Sequence, residues 1–554
     1  MLKSPRCIHR DGSLCRVLTG HRDTPPEEAA QGAGKGGRPA AALPRRLTPA
    51  LLTLGYLAVV LPNLRLPTPS DQVNYMHAAQ MFPDPLLPTE VVHQVTRFGL
   101  IIPLRLAISV FGYSETAYHL VPILGTLTLL LGTYALGAQL FSRTVGVAAA
   151  VVVVAATPVF ADAADPLPDV FAAGLFTVAL SMALAIRRRR LEPRWWVLAG
   201  LGLILGWSYL VREFIMFVWP LIPIVLYRRV SWRGLLCLAA PIAVLFAGEM
   251  LLCWQMYGSP LARFNAVTNH AEGPTPPALA RTFQDKPRYI YLLRLPTRIN
   301  DYPEGGWLLG LLALTLLGGA LWRRRFAVVV TWCALLWVPL TLLGGILDPS
   351  QPKLRLQLIR YWFPIFPAFV LGGFGALWLI GHVLGDRIRA RGGAKPALVA
   401  AATAVPLVLV LGVAVTTAGT AAAGWWGRPG TPAGGERALA AFRTWMADHD
   451  TGVRRVWADS HTARILRIYQ YGPYGGLAWQ ATVARAVPGG PTPAPGDLVL
   501  FFDTAQGREC GFCRMSARRV WGSPPRPRPG WREVYATRDG LVQVYAVTAT
   551  PPAP

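Results

Sequence analysis

Long apolar stretches alternate with short polar loops between residues 47 and 418. A helix that crosses a bilayer needs about 20 predominantly apolar residues. By that criterion the pattern predicts about eleven membrane helices. They lie near residues 47–62, 117–140, 146–160, 169–186, 195–211, 214–227, 235–255, 306–322, 326–346, 361–381 and 396–418. The sequence therefore predicts an α-helical polytopic membrane protein.

The charged residues support this class and give the chain an orientation. The 554 residues are 53% hydrophobic and 15% charged, which leaves too little polar surface for a soluble globule of this size. Much of the net charge of +25 falls in arginine clusters such as Arg187 to Arg190 and Arg323 to Arg325, which occupy alternate loops. Basic loops favour the cytoplasmic side, so we predict a cell-membrane protein with no nucleic-acid partner.

This orientation places four loops outside the cytoplasm. They are loop A (63–116), loop B (161–169), loop C (256–305) and loop D (347–360). Loop A contains the apolar segment Arg97 to Gly112, and reading that segment as a crossing would invert every later loop. We therefore predict that the segment forms a helix lying in the outer membrane interface.

The two ends of the chain differ in composition from the apolar middle. Residues 1–44 are rich in Gly, Pro, Arg and Ala and lack the apolar core of a signal peptide, which predicts a disordered cytoplasmic tail. Residues 45–423 then form the predicted transmembrane domain. Residues 424–554 combine short alternating apolar runs, turn residues and a helical pattern at Glu436 to Ala447, which predicts a small extracytoplasmic α/β domain.

The exported domain contains the motif Cys510-Gly511-Phe512-Cys513. Cysteines outside the cytoplasm usually pair, and this spacing favours a local disulfide. A zinc or redox role is the alternative, although a single C-x-x-C supplies only half of a zinc site.

Acidic residues in loops A and B are the candidate catalytic groups. Asp71 follows the first apolar span, and Asp162 and Asp165 lie on a stretch that prolines keep irregular. Each has another explanation: Asp71 is also a candidate N-cap for a helix starting at Gln72, and acids on a loop can simply be solvated. Asp169 follows Pro168 at the start of an apolar span, so we expect it to be an N-cap.

Cations at the same predicted face are candidate ligands for a phosphate group. They are Arg97, Arg212, Lys353 and Arg360, and the last two share the short loop D, against the positive-inside trend. The alternatives are that Arg360 reaches lipid headgroups and that Arg212 forms an interfacial ion pair with Glu213.

Five short motifs in this order resemble the GT-C superfamily of membrane glycosyltransferases, in particular the branch with protein O-mannosyltransferases and lipid A aminoarabinose transferases. The motifs are Ser70-Asp71-x-x-x-Tyr75, Arg97, Phe111-Gly112-Tyr113-Ser114, Leu210-Val211-Arg212 and Arg360-Tyr361-x-x-Pro364-x-x-Pro367, with the acidic loop B between the third and fourth. The resemblance covers roughly residues 47–420. One departure is Gln72, since members often have Asp-Glu at this point.

The resemblance implies transfer of a sugar from a polyprenyl-phosphate-linked donor to an envelope glycan, lipid or protein acceptor at the outer face of the membrane. It makes Asp71 the leading catalytic residue, with help from Asp165 or Asp162. Arg97, Arg212, Lys353, Arg360 and Tyr361 are then the expected residues around the donor phosphate. A divalent metal ion held by carboxylates from two loops is a further expectation.

Two other classes of function stay open. A transporter or flippase of lipid-linked sugars would be expected to carry ionisable groups deep in its spans, and Glu249 is such a residue. A non-catalytic scaffold whose exported domain binds envelope glycan would be favoured if Asp71 and Asp165 were far apart.

Overall fold

The computed structural model describes residues 47–64, 66–67, 70–85, 93–268, 281–390, 396–426, 435–504 and 510–548. The chain divides into two compact units, Met1–Ala50 and Leu51–Pro554. The described part of the first unit is only the opening turn of a helix, and the predicted tail 1–44 lies outside the described residues.

Helices make up most of the second unit. In chain order the α-helices are α1 (Leu47–Val60), α2 (Asp71–Met81), α3 (Phe98–Phe111), α4 (Glu115–Leu140), α5 (Arg143–Ala155), α6 (Thr157–Asp162), α7 (Pro168–Arg187), α8 (Trp195–Val211), α9 (Leu221–Leu226), α10 (Trp232–Tyr257), α11 (Ala262–Thr268), α12 (Arg288–Leu292), α13 (Arg294–Asn300), α14 (Gly305–Leu321), α15 (Arg323–Thr341), α16 (Phe366–Ala390), α17 (Pro396–Trp426), α18 (Glu436–His449), α19 (Ser460–Tyr469) and α20 (Gly511–Trp521). Short 3-10 segments cover Leu61–Asn63, His93–Thr96, Glu213–Val218 and Ile359–Ile365, and a π-helical turn covers Leu342–Ile346.

Apolar helices stand at all eleven positions that the hydropathy pattern predicts. Within the described residues, six segments are long and apolar enough to cross a bilayer: Glu115–Leu140, Pro168–Arg187, Trp232–Tyr257, Arg323–Ile346, Ile359–Ala390 and Ala397–Gly419. Six shorter apolar segments accompany them: Leu47–Asn63, Phe98–Phe111, Arg143–Ala155, Trp195–Val211, Glu213–Leu226 and Gly305–Leu321. The predicted fold class is confirmed, whereas the number of crossings and the interfacial position of α3 stay predictions.

Glycines allow the closest helix contacts in this bundle. A Cβ on Gly202 of α8 would lie 1.9 Å from the carbonyl oxygen of Leu238 on α10, and one on Gly137 of α4 would lie 2.4 Å from Cα of Gly146 on α5. Small residues let helix backbones approach closely where lipid supplies no hydrophobic drive for association. The helices therefore pack by shape, through residues that leave room for the neighbouring backbone.

The C-terminal region contains a five-stranded sheet. Its strands are β1 (Arg455–Asp459), β2 (Thr482–Ala486), β3 (Leu498–Phe502), β4 (Trp531–Ala536) and β5 (Val542–Val547), in the spatial order β2-β1-β3-β5-β4. Strands β2, β1 and β3 are parallel, and the hairpin β4–β5 adds antiparallel strands beside β3. This confirms the predicted small α/β fold of the region, including the disulfide between Cys510 and Cys513.

One hydrophobic core joins this sheet to loop A. Val73 and Met76 of α2 belong to the same cluster of buried residues as Leu466 of α19 and Val544 of β5. Helix α19 packs directly on α2, and the hydroxyl of Tyr469 donates to the carbonyl oxygen of Pro67 at 2.6 Å. The predicted domain boundary at residue 424 stays a prediction, but the sheet and loop A share one interior.

Candidate active site

Asp71 lies at the start of α2 and pairs with an arginine from a distant part of the chain. The Nη2 group of Arg360, where loop D ends, donates to Oδ2 of Asp71 at 2.6 Å. Gln94 donates to the other carboxylate oxygen at 3.5 Å. Ser70, not Asp71, is the N-cap residue of α2, so the helix-capping explanation of Asp71 does not apply. Asp71 and Arg360 are 27% and 24% exposed, so the pair is accessible.

The charge of this carboxylate is set by its neighbours. Burial alone would raise the pKa of Asp71, but the guanidinium of Arg360, with His93 and Arg97 farther away, lowers the pKa from its usual 3.8 to about 2. Asp71 is therefore an ionised carboxylate at neutral pH, with a cation beside it.

Asp165 of loop B is tied to the same helix through the residue after Asp71. Its Oδ2 accepts a hydrogen bond from the amide of Gln72 at 3.2 Å, and its Oδ1 accepts one from the Tyr118 hydroxyl at 2.9 Å. Asp165 is 6% exposed. Gln72, which departs from the GT-C pattern, thus connects loop A to loop B. These contacts hold Asp165 against the residue that follows Asp71. A direct catalytic role for Asp165 stays a prediction.

Arg212 pairs with Asp169 rather than with its neighbour in sequence. Arg212 Nε and Asp169 Oδ1 are 3.0 Å apart, without the alignment of a hydrogen bond, and both residues are buried. The guanidinium lies 4.8 Å from the ring centroids of both Phe214 and Tyr361. The prediction that Asp169 caps a helix is wrong, because α7 begins at Pro168 after its N-cap Leu167. A buried arginine needs a counterion, and Asp169 supplies it.

Arg97 belongs to a buried network built around Glu213, and its charge also acts on Asp71. Its Nη2 lies 3.0 Å from Oε1 of Glu213, and its Nη1 donates to the Tyr75 hydroxyl on α2. Arg263 of α11 binds the same Glu213 at 3.3 Å and also pairs with Glu249. Sequence reasoning missed Arg263 and the bridging role of Glu213. The only signal was the unusual density of ionisable residues next to apolar spans.

Two other predicted site residues, Asp162 and Lys353, have different neighbours. Asp162 ends α6, and its charge acts on Tyr302 of loop C. Lys353 is exposed, and its backbone N–H donates to Leu343 at 3.0 Å. The observed partners of Asp71 include neither residue. Their roles in catalysis and phosphate binding stay predictions.

The described partners of the carboxylates at this site are other side chains. The oxygens of Asp71 contact Arg360 and Gln94, and those of Asp165 contact Tyr118 and Gln72. A hard cation needs several oxygen ligands converging on one point. In the part of the chain that the structure describes, three metal-capable side chains converge only at His461, Cys510 and Cys513, in the C-terminal region. The divalent metal ion expected at the two acidic loops stays a prediction.

Comparison with known proteins bears on the fold of the chain. The profile of the family described as dolichyl-phosphate-mannose-protein mannosyltransferase matches residues 101–254. No curated protein sequence matches the chain significantly.

Among solved structures, ArnT from Cupriavidus metallidurans bound to undecaprenyl phosphate matches with a TM-score of 0.54 and 15% identity, covering 91% of this chain and 99% of ArnT. The apo form of the same ArnT gives a TM-score of 0.53 and 15% identity, covering 90% of this chain and 98% of ArnT. The apo oligosaccharyltransferase of Archaeoglobus fulgidus gives a TM-score of 0.46 and 12% identity, covering 90% of this chain and 74% of that protein. The chain is therefore a multi-pass membrane protein with the fold of the GT-C glycosyltransferase superfamily.

Proposed function

We propose that the protein is a membrane glycosyltransferase that moves a sugar from a polyprenyl-phosphate-linked donor to an envelope glycan, lipid or protein acceptor on the outer face of the membrane. The observation that carries the proposal is the ion pair between Asp71 and Arg360. It brings a carboxylate and a guanidinium side by side at the junction of loops A and D. The GT-C fold and the match to the mannosyltransferase family support the same reaction class.

The two groups supply what this transfer needs. The acceptor hydroxyl attacks the anomeric carbon of the sugar while the bond from that carbon to the phosphate oxygen breaks. Asp71 takes the hydroxyl proton, and the polyprenyl phosphate leaves with the bonding electrons. Arg360 stabilises the charge that develops on the phosphate. Arg212 lies nearby, but Asp169 already balances its charge.

Donor binding also explains why the base and the cation are paired at rest. Arg360 holds Asp71 ionised but poorly basic, because a carboxylate with a pKa of about 2 has little affinity for a proton. A donor phosphate is a strong acceptor for a guanidinium and competes with Asp71 for Arg360. When Arg360 turns to the phosphate, Asp71 becomes a better base. Binding of the donor phosphate thus makes Asp71 more basic.

Two of the similar proteins support the class of donor. ArnT was solved with undecaprenyl phosphate, and the matching family is described by dolichyl-phosphate-mannose. Both molecules are polyprenyl phosphates, so we propose the same anchor here.

The transporter and scaffold alternatives receive less support from the described contacts. Glu249 was the residue that favoured transport, and it forms an ion pair with Arg263 instead of standing alone in its span. Asp71 and Asp165 are joined through Gln72, whereas the scaffold alternative expected them to be far apart.

The test compares the envelope glycans of a deletion strain that carries the wild-type protein, Asp71→Asn or Asp84→Asn. Asp84 is a matched control, because it is an exposed acid in the same loop. We expect the deletion to lose one sugar modification and the wild type and Asp84→Asn to restore it. Asp71→Asn should fail to restore it at equal membrane expression. Full rescue by Asp71→Asn would refute Asp71 as the base.

A further inference from the structure

A cluster of metal-ligating side chains lies in the C-terminal region, and none of the three is a hydrogen-bond partner that the structure gives Asp71. The ligand atoms of His461, Cys510 and Cys513 all lie within 4.8 Å of one another. Both cysteines are buried, at 6% and 0% exposure, and His461 is partly exposed. The C-x-x-C motif alone is half of a zinc site, and the fold adds an imidazole from another helix.

Backbone contacts hold the two cysteines at the start of α20. Sγ of Cys510, the N-cap residue of this helix, accepts the backbone N–H of Cys513 at 3.1 Å. The N–H of Cys510 donates to the buried carboxylate of Asp503 at 2.5 Å. Both sulfur atoms therefore lie at one end of α20, where the fold also brings the imidazole of His461.

His461 is positioned independently of the cysteines, on the first turn of α19. Its backbone N–H donates to Oδ1 of Asp459 at 3.0 Å and lies 3.3 Å from Oγ of Ser516 on α20. The hydroxyls of Ser460 and Ser516 are 3.1 Å apart. These bonds join the start of α19 to the helix that carries both cysteines. The third ligand is thus fixed by the fold rather than by metal binding.

We propose that Cys510, Cys513 and His461 form a zinc-class metal site that exists when the two cysteines are reduced and is closed when they form their disulfide. Two thiolates and one imidazole are the ligands that tetrahedral Zn²⁺ prefers, with the fourth position left for water or another ligand. A disulfide has no thiolate and does not bind such an ion. This proposal does not depend on the proposed glycosyl transfer.

A dithiol can reduce the disulfide and so convert the closed state to the metal-binding state. The dithiol gives two electrons and two protons to the disulfide and becomes a disulfide itself, which leaves two thiols at Cys510 and Cys513. Zn²⁺ then binds both sulfurs and His461, and two protons are released to solvent. Metal affinity should therefore fall at low pH and vanish on oxidation.

The test measures zinc binding by the full-length protein in detergent micelles after removal of metals with a chelator. One sample is kept oxidised, and another is reduced with a phosphine, which becomes a phosphine oxide with oxygen from water. The reduced Cys510→Ser/Cys513→Ser variant measures binding by the other five of the seven cysteines. We expect the reduced wild type to bind one more zinc ion per chain than this variant. The oxidised wild type should not bind the extra ion.

Histidine variants then test the third ligand. Loss of a residue that only orients a ligand typically weakens metal binding 10- to 100-fold, so His461→Ala should weaken it at least about tenfold. His449→Ala is the control, since His449 is exposed in the same region. Equal zinc stoichiometry in the oxidised and reduced proteins would refute the proposal, and so would wild-type affinity in His461→Ala. If His461→Ala misfolds, the reduced His461→Cys variant decides. It should retain the ion and, when loaded with Co²⁺ in place of Zn²⁺, show an added thiolate-to-cobalt charge-transfer band.

Discussion

Arg360 donates a hydrogen bond of 2.6 Å to Asp71, although 289 residues separate the two in sequence. The pair connects loop D to loop A and sets the charge of the candidate base. Its arginine should be required for turnover, because it is the cation closest to the carboxylate.

Arg360→Gln should lower kcat/KM for the lipid-linked donor by about 10²-fold or more, the usual cost of removing one charge-stabilising donor. Arg360→Lys keeps the charge but loses the planar fork, so its activity should lie between those of the wild type and Arg360→Gln. Steady-state kinetics in membranes would show this order. Arg288→Gln, at an exposed arginine of loop C, should leave the rate unchanged. Equal rates for Arg360→Gln and the wild type would exclude the phosphate-binding role.

Stability should depend on pH through His77 on α2. Burial first, and then the charge of Arg467, lower the pKa of His77 from 6.5 to about 4. The unfolded chain therefore binds a proton in a range where the folded chain does not. The contribution of neutral His77 to the free energy of unfolding is therefore complete above pH 6.5. It is lost as the pH falls to 4, by about 3 kcal/mol in all.

Thermal unfolding in detergent between pH 7 and pH 4 would measure this dependence. His77→Gln should flatten it, because glutamine can still accept the hydrogen bond that Arg467 Nη1 makes with Nε2 of His77 at 2.7 Å. The exposed His449→Gln should keep the wild-type slope. An unchanged slope in His77→Gln would assign the dependence to other groups.

The buried network around Glu213 should contribute far more to the free energy of unfolding than a surface ion pair of similar geometry. Glu213→Gln leaves the guanidinium groups of Arg97 and Arg263, 3% and 4% exposed, with one carboxylate fewer. Breaking a buried pair typically costs about 3–5 kcal/mol.

Glu192→Gln is the matched control, because its pair with Arg194 is also short, at 2.8 Å, but exposed. Its loss should cost about 0–1 kcal/mol. Chemical denaturation of both variants in the same detergent would give the difference. Similar costs for the two variants would contradict the role assigned to the buried network.

The close contact between α8 and α10 should leave no room for a methyl group at Gly202. Its Cβ would lie 1.9 Å from a backbone oxygen, which cannot move without shifting α10. Overpacking typically costs about 1–3 kcal/mol. Gly248→Ala on α10 is the control, because nothing lies within 4 Å of its Cβ position. Thermal stability should fall for Gly202→Ala and stay level or rise for Gly248→Ala. A Gly202→Ala protein as stable as the wild type would show that the helices are not in this contact.

Patterns local in sequence predicted much of this structure, and long-range pairing could not be predicted. Hydropathy predicted where the apolar helices lie, and short apolar runs between turn residues predicted strands in the C-terminal region, because burial acts on nearby residues together. The partners of charged residues are set by the fold. Arg212 therefore pairs with Asp169 rather than Glu213, and Glu213 binds an arginine from loop C.

The candidate site was likewise only partly predictable from the sequence. Residue type and order along the chain predicted Asp71 and Arg360 as site members, and the fold brings them together. Nothing in the C-x-x-C motif predicted that His461, in another helix, would lie beside it. A sequence shows which side chains can do chemistry, whereas only the fold shows which of them meet.

The shared core between α2 and the C-terminal sheet affects how this protein can evolve. Tyr469 binds the backbone of loop A, and residues of α2 are buried against α19. A C-terminal region acquired from a relative would arrive without its matching surface on loop A and would disturb the helix that begins with Asp71. The two regions must therefore diversify together, by paired changes on both sides of this contact rather than by exchange of a module.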